Sequence, residues 1–339
     1  MSEAEHRCHV IGAEEDIGAL RRAVARMAAG QHALREGVAE LVATELGTNL
    51  LRHAHPRGYV LARKAGDGIE LISVDHGPGM TAAALTPRTH TTDSPTPYGS
   101  TGLGAGLNVV RRNAAEFDWY STRSGTVVYT RLGAPAPNMP MGWCSGAVNV
   151  PLGGDGESGD AWAVVPGRRP AALLVDGLGH GPAAAVASRA SIAAFEHAPV
   201  TDLGRLMRDA HAAMRGTRGG VAGACLIDPE RGELAYAAVG NITGRVVTGG
   251  RPVHLLDRPG SLGTHFPLPA LRLQHAPWQP GSTLVLVSDG IRSTWSLEGH
   301  PRLLGHHPAV IAAVLHREYA RRTDDATVLV VRQSDAVTS

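Results

Sequence analysis

The first part of the chain alternates between the hydrophobic patterns of helices and of strands. Apolar residues recur at helical spacing over residues 18–29, 34–54 and 104–114, whereas residues 68–75 form a short apolar run typical of a buried strand. Two further β-rich runs follow the last of these helices. We therefore predict a mixture of helices and strands up to about residue 132.

The second part of the chain has short β-rich runs separated by glycine, proline and aspartate. Many such runs at close spacing are typical of an antiparallel sandwich. Helical spacing is found over residues 181–198, 202–215 and 308–322. The strand-like runs are AWAVV, AALLVDG, GACLIDP, GELAYAAVG, TGRVVTGG, TLVLVSDG and ATVLVVRQ. We predict a β-sandwich flanked by helices, and an α+β fold for the chain as a whole.

A proline-rich segment separates the two patterns. Its sequence, LGAPAPNMPMG, holds three prolines and two glycines without periodic apolar residues, as linkers do. A length of 339 residues also fits about two domains at roughly 150 residues each. The predicted organisation is a domain over residues 1–132, a linker over 133–141, a domain over 142–333 and a tail over 334–339.

Composition and charge exclude several classes of protein. The chain has 32 Lys and Arg against 31 Asp and Glu, a net charge of +1, which argues against nucleic-acid binding. The cysteines Cys8, Cys144 and Cys225 are scattered, which argues against disulfides or a zinc site and for a reducing compartment. No signal peptide and no apolar run of about 18 residues is found. We expect a cytoplasmic protein without a membrane partner.

The predicted helix over residues 34–54 carries two polar residues within its apolar stripe. Glu45 and Asn49 are four residues apart, so at about 100° per residue they fall on the apolar side of the helix. A carboxylate and an amide in that position are costly unless something pairs with them. They are either satisfied by a neighbouring backbone or belong to a site. The stripe consists of Leu34, Val38, Leu41, Val42 and Leu46.

Two glycine-containing segments follow this helix. Asp75 ends the strand over 68–75, and Gly77 and Gly79 come next at alternate positions, so the backbone can approach a flat ligand while the carboxylate accepts hydrogen bonds. Residues 99–107, GSTGLGAGL, lead into the next helix with N–H groups that can face phosphate. The spacing is neither the Rossmann fingerprint nor a P-loop.

Three motifs of the first domain resemble the N, G1 and G2 boxes of the GHKL ATP-binding fold: ELGTNLLRHAH, DHGPGM and STGLGAGL. Within this fold, the segment most resembles the anti-sigma-factor kinases and the RsbT-like switch kinases. The resemblance covers about residues 8–132. It implies an α/β sandwich with helices on one face of a mixed sheet, and binding of ATP with Mg²⁺. It also implies a serine/threonine kinase rather than a histidine kinase, with His53 and His55 as surface residues.

The resemblance assigns roles to individual residues of the first domain. Asn49 would hold Mg²⁺ against the nucleotide phosphates, and Glu45 would act as the base or orient the acceptor hydroxyl. Asp75 would bind the adenine amino group, with Gly77 and Gly79 shaping the pocket. The glycines that would close over the phosphates are Gly102, Gly104 and Gly106.

Four aspartates of the second domain stand at strand ends. Asp160 precedes AWAVV, Asp176 ends AALLV, Asp289 ends TLVLVS and Asp324 precedes the last strand. Any one of them alone is typical of a turn residue or a helix cap. Four together predict carboxylates at the rim of a sheet, which repel one another unless a cation is bound. An all-oxygen set suits Mg²⁺ or Mn²⁺, and two such ions can activate water and clamp a phosphoryl group.

The second domain resembles the metal-dependent protein serine/threonine phosphatases of PPM type, specifically the bacterial SpoIIE/RsbX-type branch. The motifs in family order are GESGD, DGLGHGPAAAVASRAS, GELAYAAVGN, RPGSLG, LVSDGI and DDATVLVV. The resemblance implies a two-metal site in which Asp176 bridges both ions and the Gly177 carbonyl adds a ligand. Asp289 and Asp324 would complete the shell of the more buried ion, with Asp160 close by.

The resemblance also assigns roles to two neighbours of these motifs, and the chain departs from the wider superfamily in lacking one basic residue. Asp325 would support the ligands from a second layer, and His180, beside the metal turn, would not be a ligand. Many members of the superfamily hold substrate phosphate with an arginine near the domain start, but residues 138–160 contain no Arg or Lys. Weak affinity for peptides and reliance on protein docking would follow.

Together the two resemblances predict a bacterial partner-switching enzyme. The second domain would dephosphorylate phosphoserine or phosphothreonine on a STAS-domain protein of anti-sigma-factor-antagonist or stressosome type. The first would bind ATP with Mg²⁺ and phosphorylate a STAS partner, and a sigma or anti-sigma factor is a further candidate partner. The alternative is a non-catalytic, ATP-dependent binding or anti-sigma module attached to the phosphatase. A two-domain metabolic ATPase ranks last, because no substrate motif supports it.

Overall fold

The chain divides into two compact units in a computed structural model. The first is Arg7–Pro137, and the second joins Met1–His6 to Asn138–Ser339, so the chain passes between the units twice. No helix in the described part of the chain is long and apolar enough to cross a membrane. The structure describes residues 5–54, 57–80, 103–135, 139, 142–197, 202–264, 267–268 and 270–334.

The first unit is a five-stranded sheet with helices packed against it, in the strand order β1-β2-β3-β5-β4. Its core lies between the helices and the sheet, where Leu20, Val24 and Leu46 meet Val60 and Leu71. The elements are β1 (Arg7–Ile11), α1 (Glu14–Ala28), α2 (Val38–His53), β2 (Gly58–Lys64), β3 (Gly68–Val74), α3 (Leu103–Asn113), β4 (Glu116–Thr122) and β5 (Gly125–Gly133).

The sheet of the first unit is antiparallel at every described pairing, whereas the resemblance implied a mixed sheet. The strands β3 and β4 do run in the same direction. However, β5 lies between them and pairs antiparallel with both, so they form no parallel ladder. The expectation of a mixed sheet is therefore wrong in this detail, while the α/β arrangement holds.

The helix α2 begins four residues later than the apolar spacing suggested. Gly37, with φ of 76°, adopts the left-handed conformation just before Val38 and separates Leu34 from the helix. Leu41 is 42% exposed, so its place in the predicted stripe is wrong. Because the buried face is centred on Val42 and Leu46, Leu41 points away from it. The residues of α2 that are buried are Ala39, Val42, Ala43, Leu46, Gly47 and Leu50.

The second unit is a sandwich of two antiparallel five-stranded sheets. One has the order β13-β10-β9-β8-β7 and the other β12-β11-β14-β15-β6. Their facing surfaces form one core, where Leu174, Ile227 and Tyr236 meet Leu284 and Leu329. The strands are β6 (Trp143–Val150), β7 (Asp160–Val165), β8 (Ala171–Gly177), β9 (Gly220–Asp228), β10 (Glu233–Val239), β11 (Thr243–Thr248), β12 (Arg251–Leu255), β13 (Gln274–Pro277), β14 (Thr283–Val287) and β15 (Ala326–Gln333).

Helices cover the outer faces of the sandwich. The helices α4 (Pro182–His197) and α5 (Leu203–Ala213) pack on the sheet that contains β8, and α6 (Pro308–Tyr319) packs on β6 and β15. A second core, including Leu173, Phe195 and Met207, fills the space under α4 and α5. The predicted α+β class is confirmed, as is the prediction of a sandwich flanked by helices.

Candidate functional site

The four predicted aspartates of the second unit lie at one edge of the sandwich. Asp160 and Asp176 are direct partners across β7 and β8. Asp289 follows β14 and Asp324 precedes β15, and because these strands pair antiparallel, both residues stand at the same end of the other sheet. The Oγ of Ser288 donates to Oδ2 of Asp160 at 2.7 Å and joins the two sheets at this end. We name these four residues the aspartate edge.

Asp160 is held through both its side chain and its backbone. Its side chain is buried and accepts the hydrogen bond from Ser288, whose Oγ also accepts from the backbone N–H of Thr327 at 3.0 Å. The Nδ2 of Asn149, on β6, donates to the carbonyl oxygen of Asp160 at 3.0 Å. Both the carboxylate and the backbone of Asp160 therefore have fixed positions in the fold.

The electrostatics of the aspartate edge favour a bound cation. Burial, followed by the charge of Asp160 and the other nearby carboxylates, raises the pKa of Asp176 to about 9. Burial likewise raises the pKa of Asp160 to about 7, against the opposing effect of its hydrogen bond from Ser288. Burial and the charge of Asp324 raise the pKa of Asp289. Carboxylates crowded in this way bind protons or cations to relieve their repulsion.

Asn241 orients Asp289, and this contact was not predicted. Its Nδ2 donates to Oδ2 of Asp289 at 2.8 Å. Asn241 lies in the loop between β10 and β11, at the end of the GELAYAAVGN motif. The motif was the only sequence signal that pointed to Asn241. Its spacing did not indicate that the amide of this residue would donate a hydrogen bond to a carboxylate 48 residues later.

Asp325 holds the loop that leads to Asp160. Its Oδ1 accepts from the N–H of Leu152 and its Oδ2 from the N–H of Gly159, both at 2.6 Å. The Asp325 side chain is buried, and these short bonds to a carboxylate are of the strong, charge-assisted kind. Asp325 therefore fixes the loop between β6 and β7 rather than facing solvent at the edge.

Two glycines at the edge have no room for a side chain. A Cβ on Gly177 would overlap the carbonyl oxygen of Ala184, and a Cβ on Gly290 would overlap the carbonyl oxygen of Asp325. The backbone after Asp176 and after Asp289 is therefore packed directly against neighbouring backbone. His180, in the turn after Gly177, is exposed.

The aspartate edge suits hard divalent cations, since the side-chain atoms that it offers as ligands are all oxygens. Among the described residues, no three His, Cys, Asp or Glu side chains already encircle a single point as ligands. The pairing of the buried Asp160 with the half-buried Asp176, both with raised pKa values, is the observation that fits a cation at this place.

The first unit contains a cavity at the predicted nucleotide site. Its walls are formed by residues of α2, β3, α3 and β5. Asp75 lies in its wall, where Oδ1 accepts from the N–H of Gly77 at 2.7 Å and of Thr126 at 3.1 Å. His53, expected at the surface, is exposed and lines this cavity. The lining residues are Leu46, Asn49, Leu50, His53, Ser73, Asp75, Gly77, Pro78, Gly79, Met80, Leu107, Thr126 and Val128.

Glu45 and Asn49 meet the start of α3. A Cβ on Gly106 would lie 2.5 Å from Oε2 of Glu45 and 3.6 Å from Oδ1 of Asn49, so a side chain there would displace the Glu45 carboxylate. The Nδ2 of Asn49 is buried and has no hydrogen-bond partner among the described residues. A buried, unsatisfied amide facing a cavity is the feature that fits a polar ligand such as a nucleotide with its metal ion.

Of the remaining predicted glycines of the first unit, two are closely packed against backbone, one lies at the start of α3 and one is outside the described residues. Gly79 has φ of 84°, and a Cβ there would overlap the carbonyl oxygen of Thr122. A Cβ on Gly77 would lie 2.9 Å from the carbonyl oxygen of His53. Gly104 lies in the first turn of α3, whereas Gly102 and His55 are outside the described residues.

Sequence comparison identifies the second unit. A profile of the family described as Stage II sporulation protein E (SpoIIE) matches residues 166–334. The chain belongs to the SpoIIE family. A second profile, described as a histidine kinase-like ATPase domain, matches residues 12–132. The protein thus joins an ATPase-like domain to a SpoIIE domain, which is of the PP2C type of serine/threonine protein phosphatase.

Solved structures resemble the SpoIIE domain. One, described as "The bacterial stressosome: a modular system that has been adapted to control secondary messenger signaling", is 31% identical, with a TM-score of 0.52, and the match covers 56% of this chain and 99% of that one. RsbX in complex with magnesium is 21% identical over 58% of this chain and 98% of that one, with a TM-score of 0.50, and shares the fold. No curated protein sequence matches the chain.

Proposed function

We propose that the SpoIIE domain hydrolyses phosphoserine or phosphothreonine on a partner protein with the help of two divalent cations, Mn²⁺ or Mg²⁺. The observation that carries the proposal is the direct pairing of the buried Asp160 with the half-buried Asp176, whose pKa values are both raised. Such a pair is unfavourable for the fold unless it serves a cation. The match of residues 166–334 to the SpoIIE family supports a phosphatase activity in this domain.

In this proposal the chain's own residues hold and orient the site. Asp176, Asp289 and Asp324 would hold the cations, with the carbonyl oxygen of Gly177 as a further ligand and Asp160 close by. When bound, the cations supply positive charge to the phosphate and an acidified water. Asn241 keeps Asp289 in a single orientation through its 2.8 Å hydrogen bond. Ser288 does the same for Asp160 at 2.7 Å.

The substrate that we propose is a phosphorylated STAS-domain protein of anti-sigma-factor-antagonist or stressosome type. The stressosome description of the 31% identical relative supports this class. The absence of Arg and Lys over residues 138–160 is consistent with a folded protein substrate, because recognition would then come from docking rather than from a basic residue at the domain start.

The substitution Asp176→Asn tests the phosphatase proposal. It removes one charge and one oxygen ligand, so Mn²⁺-dependent hydrolysis of p-nitrophenyl phosphate should fall to below ~1% of the wild-type rate. The matched control is Asp228→Asn, at the opposite end of the same sheet, which should retain the wild-type rate. Undiminished hydrolysis by the Asp176 variant would contradict the site assignment.

We further propose that the first domain binds ATP with Mg²⁺ and phosphorylates a STAS partner. Asn49 would contact the metal and phosphates, Asp75 the adenine amino group, and Glu45 the acceptor hydroxyl. The buried, unpartnered Nδ2 of Asn49 and the fixed carboxylate of Asp75 in one cavity support this. Gly77 and Gly79 would shape the pocket, and Gly102, Gly104 and Gly106 would close over the phosphates.

Two variants separate a kinase from a non-catalytic binding or anti-sigma module. Asn49→Ala should reduce ATP affinity, whereas Glu45→Ala should leave ATP bound but abolish transfer of labelled phosphate to a STAS protein. Calorimetry with ATP and Mg²⁺ measures the first effect, and labelling measures the second. If the wild type binds ATP but labels no STAS protein, the binding-module alternative is correct.

A further inference from the structure

An arginine from outside the predicted motifs lies beside the aspartate edge. Arg218 belongs to the loop before β9 and is exposed. Its Nη1 is 3.2 Å from where a Cβ of Gly179 would be, so the guanidinium lies on the backbone of the turn that follows Asp176 and Gly177. Because residue 179 is glycine, this position is open to the arginine side chain.

The backbone places Arg218 in register with this turn. Asp176 pairs with Val221 and Gly177 with Gly220 across β8 and β9. The N–H of Leu178 donates to the carbonyl oxygen of Gly219 at 3.0 Å, which extends the ladder by one residue. Arg218 is therefore opposite Gly179, about 10 Å along the strand direction from Asp176 at roughly 3.3 Å per residue. An arginine side chain directed back along the turn covers most of that distance.

The loop that carries Arg218 is fixed by its own hydrogen bonds. The Oγ1 of Thr217 donates to the carbonyl oxygen of Met214 at 2.7 Å and accepts from the N–H of Gly219 at 3.0 Å. Gly219 has φ of 77°, and a Cβ there would overlap the carbonyl oxygen of Leu262. The backbone at Arg218 is thus held in place, so no backbone entropy is lost there when the side chain binds a ligand.

Arg218 differs from the other cations near this edge. Arg189 pairs with Glu157 at 2.8 Å. The charge of Arg321 acts on Asp289 and partly opposes the rise in the pKa of that carboxyl. Arg218 makes no hydrogen bond or ion pair with any residue in the part of the chain that the structure describes. It is therefore available for an anion that arrives from solution.

We propose that Arg218 binds the phosphate group of the substrate and replaces the arginine that the domain start lacks. This inference rests on the proposed phosphatase function. Four carboxylates balance two divalent cations, so a phosphomonoester dianion brings uncompensated negative charge to the edge. A guanidinium can donate hydrogen bonds to two oxygens of the dianion at once. The ligand class is a phosphomonoester or inorganic phosphate.

Steady-state kinetics of the full-length protein with saturating Mn²⁺ test this role. Arg218→Ala should raise the KM for p-nitrophenyl phosphate about 10-fold or more, the loss expected for one charge-assisted hydrogen-bonding group, and change kcat less than about threefold. The inhibition constant of inorganic phosphate should rise by the same factor. Arg218→Lys should recover part of the loss, because lysine restores the charge but not the planar donor pair.

Two controls separate phosphate binding from effects on the fold or on the metal site. Arg168→Ala, in the turn at the far end of the β7–β8 hairpin, should behave as wild type. Mn²⁺ affinity measured by calorimetry should be the same in Arg218→Ala and wild type. If KM and phosphate inhibition are both unchanged within about twofold in Arg218→Ala, the proposal is overturned.

A failure of the phosphatase function would be recognised separately. A wild type that hydrolyses no phosphomonoester in the presence of Mn²⁺ or Mg²⁺ contradicts the proposed function. Binding of inorganic phosphate to the Mn²⁺-loaded protein, measured by calorimetry, still tests Arg218. Weaker binding in Arg218→Ala than in wild type would support its role, and equal binding would exclude it.

Discussion

At the scale of single residues, the tightest constraint on the aspartate edge is the approach of Gly290 to the backbone of Asp325. Any Cβ at position 290 would overlap that carbonyl oxygen. Since the overlapping atom belongs to the backbone rather than to a flexible side chain, β14 and β15 would have to separate at the end where Asp289 and Asp324 stand. A single methyl group thus acts on two proposed ligands at once.

The substitution Gly290→Ala should therefore destabilise the protein and weaken metal binding together. We expect a loss of about 2–4 kcal/mol in the free energy of unfolding and a lower Mn²⁺ affinity. Urea denaturation and calorimetry measure the two effects. The matched control is Gly305→Ala, where a Cβ meets nothing within 4 Å, and it should change stability by less than about 0.5 kcal/mol. Equal stability of the two variants would contradict the prediction.

The substitution Asp325→Asn tests the anchor of the loop between β6 and β7. An amide offers one acceptor oxygen and one NH₂ group, so either Leu152 or Gly159 would face a donor in place of its 2.6 Å acceptor. We expect a loss of about 2–3 kcal/mol in the free energy of unfolding. Hydrogen exchange at the two amides should rise in the variant. Unchanged exchange there would show that the loop is held by other contacts.

The contacts that orient the aspartate edge could not be predicted from the sequence. Strand-end aspartates are visible as a local pattern, since each follows or precedes an apolar run. The pairing of Ser288 with Asp160 joins residues 128 positions apart, and that of Asp325 with Leu152 joins residues 173 apart. Such contacts depend on how two sheets stack, and no local spacing encodes that. Arg218 was missed for the same reason.

At the scale of elements, the apolar pattern predicted all six α-helices of the described residues and most of the strands, but it missed β2, which lies inside its sheet, and several edge strands. The strand β1, Arg7–Ile11, was missed because it is mostly partly exposed and carries a weak apolar signal. The same holds for β12, which begins with Arg251 and Pro252 at a sheet edge. The first turn of α1 was missed because it is Glu14, Glu15 and Asp16, which stabilise a helix start through charge rather than through apolar contacts.

The helix α6 contains a buried histidine that links its packing to pH. Burial, with a further contribution from the charge of His6, lowers the pKa of His316 to about 4. Its Nδ1 has no hydrogen-bond partner among the described residues. The folded protein therefore holds His316 neutral, whereas the unfolded chain binds a proton there at an ordinary pKa.

Stability should consequently fall as the pH drops from about 6.5 towards 4, because the unfolded state takes up a proton that the folded state refuses. The contribution of His316 to this fall is about 3 kcal/mol at most, from a pKa difference of roughly two units. Above pH 6.5 His316 has no effect on the pH dependence of stability. Urea midpoints measured across this range should depend less on pH in His316→Leu than in wild type, and the exposed-site control His254→Gln should keep the wild-type slope. Equal slopes in all three proteins would contradict the assignment.

At the scale of the whole molecule, the start of the chain belongs to the SpoIIE unit. The N–H of His6 donates to the carbonyl oxygen of Asn149 at 2.7 Å, and its Nδ1 accepts from the N–H of Asn149 at 3.3 Å. His6 is completely buried, and Asn149 in turn donates to the backbone of Asp160. The resemblance to the two families is confirmed, but neither resemblance indicated that residues before the first domain would complete the second.

The substitution His6→Ala should therefore destabilise the SpoIIE unit rather than the unit in which Arg7 begins. We expect a loss of about 2–3 kcal/mol in its free energy of unfolding, from two hydrogen bonds and a buried ring. Tryptophan fluorescence in urea reports mainly on this unit, since of the five tryptophans only Trp119 lies in the other. The control His32→Ala, at an exposed position, should leave the midpoint unchanged. A midpoint equal to that of wild type in His6→Ala would contradict the prediction.

This arrangement changes how truncation experiments on the protein have to be interpreted. A shortened protein that starts at Asn138 lacks His6, and with it a piece of its own phosphatase core. Activity lost on such a truncation is therefore no proof that the ATPase-like domain switches the phosphatase on. Point substitutions inside the nucleotide cavity, which leave residues 5 and 6 in place, can distinguish communication between the domains from simple damage to one of them.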